Sequence, residues 1–154
     1  AQAGVLVAVW SAGSLVGGLL LAARGRRASL RAAYLVLLGA LTVTALPLVL
    51  PRTVPVMAVA VALFGLPLAP WLAVADELMS RAAPAPHTAE AFGWMQTAGQ
   101  LGIAVGSATG GPVAAHAGTA VAFVIVGVAL AAALGVAVHR RGTLLVPAYG
   151  LSHR

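Results

Sequence analysis

Long apolar runs alternate along the chain with short gaps that are polar or break helices. The runs cover about 3–23, 30–50, 54–79, 90–115 and 118–139, and the gaps read RGRRASLR, PRTVP, RAAPAPHTAE and HAGTA. Each run is close to the roughly 20 residues that a helix rising about 1.5 Å per residue needs to cross about 30 Å of hydrocarbon. In lipid every backbone N–H and C=O must find its partner within the segment, and the runs lack the period-two alternation of a barrel strand. The pattern therefore predicts an all-α membrane protein with five transmembrane helices over residues 1–139 and a tail of residues 140–154. Gaps this short make successive helices antiparallel neighbours.

Composition points the same way. With 61% hydrophobic and 8% charged residues over 154 positions, and a mean hydropathy of +1.01, polar groups are too few to cover a water-exposed surface. There is no cysteine, which excludes disulfides and thiolate metal sites. All nine basic residues are arginines, against three acids. They sit in gaps between apolar runs, a distribution that speaks for membrane topology and against nucleic-acid binding.

Five spans put Arg24, Arg26, Arg27, Arg31, Arg81, Arg140, Arg141 and Arg154 on one side of the membrane and only Arg52 on the other. By the positive-inside rule the crowded side is cytoplasmic. The expected location is the plasma (inner) membrane, with the N-terminus outside and the C-terminus cytoplasmic. The start Ala-Gln-Ala-Gly has no charged stretch before the first apolar run, so it does not read as a signal peptide. A cut-off start, with a helix missing before it, is the expectation.

The stretch GGLLLAARGRR (17–27) carries a resemblance. Gly18, followed after three residues by Ala22, Ala23, Arg24, Gly25, Arg26 and Arg27, resembles the loop motif G-x-x-x-D-R-x-G-R-R of the major facilitator superfamily. Ala22 and Ala23 stand where that family has aspartate and the first basic residue. A plain positive-inside loop accounts for the same residues. A second stretch, AFGWMQTAGQLGIAVGSATGG (91–111), is similar to the family's glycine-rich helix five or eleven. It matches through Gly102, Gly106, Gly110 and Gly111, with Ser107 where proline is usual. The order VADELMSR, a proline-rich loop, then AFGW is similar to the family's junction between helices ten and eleven. The resemblance implies helices eight to twelve of such a transporter, a partial bundle whose partner is a missing N-terminal half. It also implies that helices eight and eleven form the moving contact between halves and that helix ten lines the pathway.

Small residues recur at four-residue spacing in the first run (Gly13 with Gly17, Ser14 with Gly18) and in the fourth (Gly102, Gly106, Gly110). Such ridges let helix backbones approach closely, where dispersion supplies association that the hydrophobic effect cannot supply in lipid. Packing within one bundle and contact between halves are both consistent with them. The second and fifth runs, rich in Leu, Val and Ala, read as lipid-facing support, with Thr42 and Thr44 bonding back to their own helix. In the third run Pro67 and Pro70 interrupt the apolar sequence FGLPLAPWLAVADE, so the helix should kink or open beside protein or a wet cavity. Phe64, Pro67 and Trp71 share a face there, either as a substrate pathway or as a kinked structural helix. In the fourth run Gln96, Gln100, Ile103 and Ser107 fall within one arc. Gln100 and Ser107 are candidates for the pathway and Gln96 for bonding between helices.

The three acids, Asp76, Glu77 and Glu90, lie at run ends rather than at mid-membrane, where a proton-coupling carboxylate is expected. Asp76 or Glu77 is expected to pair with Arg26 or Arg27 as a cytoplasmic gate, the alternative being solvated carboxylates. Glu90 suits a helix N-terminus. His87, His116, His139 and His153 lack the spacing of a metal site. Trp10 and Trp94 read as interface anchors. No nucleophile–base pair or phosphate loop is present, so no enzyme activity and no cofactor are expected. The expected function is small-molecule transport by alternating access, in the direction of efflux. The expected partners are the lipid bilayer, the missing transporter half and the substrate, with no nucleic acid. A five-helix membrane scaffold or interaction subunit and a non-functional transporter fragment are the alternatives.

Overall fold

The computed structural model describes residues 2–24, 29–50 and 53–144. Six α-helices follow one another: α1 (Gln2–Arg24), α2 (Leu30–Ala45), α3 (Val54–Gly65), α4 (Leu68–Ala82), α5 (Thr88–Ala117) and α6 (Thr119–His139). Short 3₁₀ turns cover Leu46–Val49, Ala85–His87 and Arg141–Leu144, and the described residues contain no strand.

Local chemistry accounts for the boundaries. Ser29 caps α2, its hydroxyl oxygen accepting from the Ala32 amide at 3.3 Å. Pro47 then tightens the end of the segment into the 3₁₀ turn Leu46–Val49. Thr42 and Thr44 donate to the carbonyls of Leu38 (2.9 Å) and Ala40 (2.7 Å), which hides their hydroxyls from lipid. Between α5 and α6 the chain reverses at Gly118, whose φ of 90° is a conformation that a side chain would strain.

Four segments among the described residues are long and apolar enough to cross a membrane: Gly4–Ala23, Leu30–Val49, Val54–Ala82 and Thr119–His139, with mean hydropathies of 2.1, 2.1, 2.1 and 2.8. The third comprises α3 and α4 together. The described residues are thus all-helical with the character of a membrane-embedded chain, and four of the five expected spans meet that measure. The run at 90–115 does form a helix, the 30-residue α5. Gln96, Gln100, Ser107, Thr109, Pro112 and its many glycines keep that helix below the apolarity of the other four.

The helices α3 and α4 lie between α1 and α2, α6 packs on the other side of α2, and α5 lies against α6. The buried core is Leu38, Leu41, Ala45, Leu48, Ala60, Val74 and Leu78, so it sits where α2 meets α3 and α4. Neither α5 nor α6 has a buried residue.

Candidate pathway and helix-break site

The most distinctive local geometry is the break between α3 and α4. Proline has no N–H, so Pro67 cannot serve the Leu63 carbonyl, nor Pro70 the Leu66 carbonyl, in the usual i+4 pattern. The ladder resumes when the Trp71 amide donates to Pro67 O at 3.0 Å. Both prolines are buried.

Glycines of α1 face this break. A Cβ added to Gly17 would overlap the Leu66 carbonyl oxygen, and one added to Gly13 would overlap that of Ala62. The relation is reciprocal, since a Cβ on Gly65 would lie 2.5 Å from the Trp10 carbonyl oxygen. One turn on from Ser14, Gly18 meets Ala69 side by side, an added Cβ lying 3.6 Å from that methyl group. Backbone here lies directly on backbone, close enough for carbonyl oxygens to meet glycine Cα–H groups. The Leu66 carbonyl, short of its helical donor, points at such a group.

Beside the break is an open groove of about 480 Å³. Its walls are Gly17, Leu20 and Leu21 of α1, Leu37, Ala40 and Thr44 of α2, and Leu63, Leu66, Pro67 and Pro70 around the break. Thr44 brings the one side-chain hydroxyl, and that donates to Ala40 O. Of the expected pathway residues only Pro67 lines this groove. Phe64 is half-buried outside it. The Trp71 ring lies against Tyr34 of α2, with centroids 5.7 Å apart at 37°, and its buried Nε1 has the Tyr34 hydroxyl as a marginal acceptor, outside ordinary hydrogen-bond geometry. Gln100 and Ser107 are exposed on α5 and are not brought to the groove, and Ser107 donates to Ile103 O at 2.7 Å. Around Gly102, Gly106, Gly110 and Gly111 an added Cβ would meet nothing within 4 Å, so this second seam faces open space.

At the charged end, Gly25, Arg26 and Arg27 lie outside the described residues, and with them the expected gate pairs. Asp76 is exposed, while Glu77 accepts a charge-assisted bond from Arg81 one turn away. His87 lies 3.6 Å from Glu90 at the start of α5, and His116 contacts Pro112 O at 2.8 Å. Among the described residues no three His, Asp or Glu groups gather to hold a metal ion. The sequence pattern does not single out Tyr34, Gly65 or Leu66. Gly65 is nonetheless visible as a small residue just ahead of the first proline, the one signal that α3 offers a close contact of its own. No family model, curated protein or solved structure matches the chain.

Proposed function

We propose that the chain is part of a secondary transporter of the major facilitator type, moving a small molecule by alternating access. The observation that carries this reading is the discontinuous α3–α4 segment. An apolar span interrupted by two prolines and seated against glycines is the form of helix around which transporters build their pathways. The loop motif at Gly18–Arg27 and the glycine-rich α5 support it through their resemblance to that family. In this reading α5 crosses the membrane, and its open seam Gly102–Gly106–Gly110 is covered by a partner half. Gly25, Arg26 and Arg27 then form the cytoplasmic loop, with Asp76 and Glu77 opposite as the gate. Direction of efflux and an inner-membrane location with a cytoplasmic tail belong to the same proposal.

The absence of cysteine in these residues makes the test direct. One spin label at Ser80→Cys, exposed near the end of α4, and a second on the partner half of the full-length protein report their separation in vesicles. Alternating access gives two populations, and Asp76→Ala shifts the balance towards the open one. A single separation unaffected by Asp76→Ala and Arg26→Ala overturns the gate, and a single separation under every energised condition overturns transport. The scaffold reading gains from the same open α5 seam, and it predicts that single separation.

A further inference from the structure

We propose that the carboxamides of Gln96 and Gln100 on α5 bind the transported solute, and that this solute is an uncharged molecule carrying hydroxyl or amide groups. The inference rests on the transport reading and names the substrate class for it.

Every residue from 96 to 109 is exposed, on all sides of α5. The hydroxyls of that stretch are already spent on the helix: Thr97 donates to Gly93 O at 2.8 Å, Ser107 to Ile103 O at 2.7 Å and Thr109 to Val105 O at 2.8 Å. Gln96 and Gln100 differ, since neither side chain has a hydrogen-bond partner among the described residues. Gln100 stands about 18 Å along a helix about 45 Å long, too deep for its amide to reach either headgroup layer. An amide left bare in hydrocarbon forfeits the hydrogen bonds it makes in water, so this arc faces a wet or protein-lined space. The glycine seam, which suits a partner helix, lies elsewhere: Gly102 stands about 160° round the helix from Gln100. One side of α5 is thus shaped for close packing and the other for polar contact.

Spacing and charge select the ligand. Four residues apart, the two amides share a face with about 6 Å of rise between them, and each offers one acceptor oxygen and two N–H donors. A solute with donors and acceptors spread over that distance satisfies both. Between Glu90 and Arg140 the chain has no Asp, Glu, Lys or Arg, nor has it any in 32–51 or 53–75. An ion at this depth would shed its hydration without gaining a counter-charge from these spans. A purely apolar solute would leave both amides unmatched, and sites built on hydrogen bonds discriminate strongly against such analogues. A neutral polar solute meets neither penalty.

The test takes the full-length protein, freed of other cysteines, in lipid vesicles, with Ala104→Cys one turn beyond Gln100 as the reporter. Its labelling by N-ethylmaleimide, an uncharged thiol reagent, is timed in the presence of three mixtures: neutral solutes (mannitol, glucose, nicotinamide), anions (benzoate, succinate) and cations (choline, spermidine). The neutral mixture is expected to slow labelling about fivefold, because a bound solute buries most of its surface and shields its neighbours. The ionic mixtures leave the rate unchanged. Gln96→Leu with Gln100→Leu keeps the rate in plain buffer and removes the protection, and Gln100→Leu alone gives the same reading should the pair fail to fold. Ala98→Cys, about 160° round α5 from Gln100, gains no protection. Protection by an ionic mixture, or by none of the three, overturns the proposal. So does a position 104 that does not react at all, since a helix then covers the amide arc. These outcomes leave two separations between the halves in the spin-label experiment, whereas a single separation there overturns the transport reading itself.

Discussion

The glycine seams of α1 and α5 have the same four-residue spacing and opposite surroundings. Gly13 and Gly17 are buried against the backbone of α3 and the break, while a Cβ added at Gly102, Gly106 or Gly110 would meet none of the described residues within 4 Å. The difference shows that small-residue spacing confers a capacity for close approach without naming a partner. What completes the α1 seam is carbonyl geometry some fifty residues away, where Pro70 leaves the Leu66 oxygen without its ordinary donor and α1 offers a glycine Cα–H to it. The α5 seam has no such counterpart among the described residues.

The sharpest way to break this comparison is to place the same side chain in both seams. Gly17→Leu drives a Cβ into the Leu66 carbonyl, and backbone cannot swing aside as a side-chain tip can. We expect a loss of about 3 kcal/mol or more, with much of the protein failing to fold in detergent. Gly106→Leu meets open space and replaces a poor helix former with a good one, so the isolated chain should gain up to about 1 kcal/mol. Thermal unfolding followed by circular dichroism distinguishes the two. Equal losses would mean that α5 is packed after all. In a full-length protein whose partner half covers α5, Gly106→Leu should turn from neutral to damaging.

Trp71→Phe gives a smaller effect and probes the packed side alone. The indole N–H is buried with only the marginal Tyr34 hydroxyl as acceptor, which leaves up to about 1–3 kcal/mol of desolvation uncompensated, while the aromatic contact with Tyr34 survives in phenylalanine. The lost donor offsets the lost ring area, so the melting temperature should hold or rise. A fall equivalent to more than about 1 kcal/mol would show that Nε1 is satisfied, by the Tyr34 hydroxyl, a bound solute or a water.

How much of this was legible in advance follows from which interactions are local. Helix lengths depend on runs of apolar residues, so α1 at Gln2–Arg24 matches the run 3–23 within a residue at each end. The break depends on the covalent chemistry of Pro67 and Pro70 and shows in the letters themselves. The back-bonded Thr42 and Thr44 are equally local. The groove was not legible, because it needs Leu20, Leu37 and Leu66 from three separate segments to converge. The pathway face drawn through Phe64, Pro67 and Trp71 obeyed helical periodicity across residues where the helix is interrupted. Trp71, on the far side of the break, sits against Tyr34 instead of the groove. The fifth expected span, α5, is legible by its length, and hydropathy sets it apart from the other four.

The smallest expected effect lies at the exposed end of α4, and it separates the two partners of one ion pair. Glu77 and Arg81 form a pair four residues apart, with 23% and 57% of their side chains exposed. A helix-surface pair of this kind contributes about 0.3–0.5 kcal/mol, and salt screens it. Glu77 has a further interaction besides Arg81, so it has more to lose. Arg81→Ala should therefore lower the melting temperature barely measurably, and Glu77→Gln should lower it more, both by less than the equivalent of about 1 kcal/mol. Raising salt to about 1 M should shrink both differences, because exposed charges are screened within about 3 Å there. If Arg81→Ala proved the more harmful of the two, Arg81 would hold something other than Glu77. The charge pairing at this end of the packed bundle would then need a different partner.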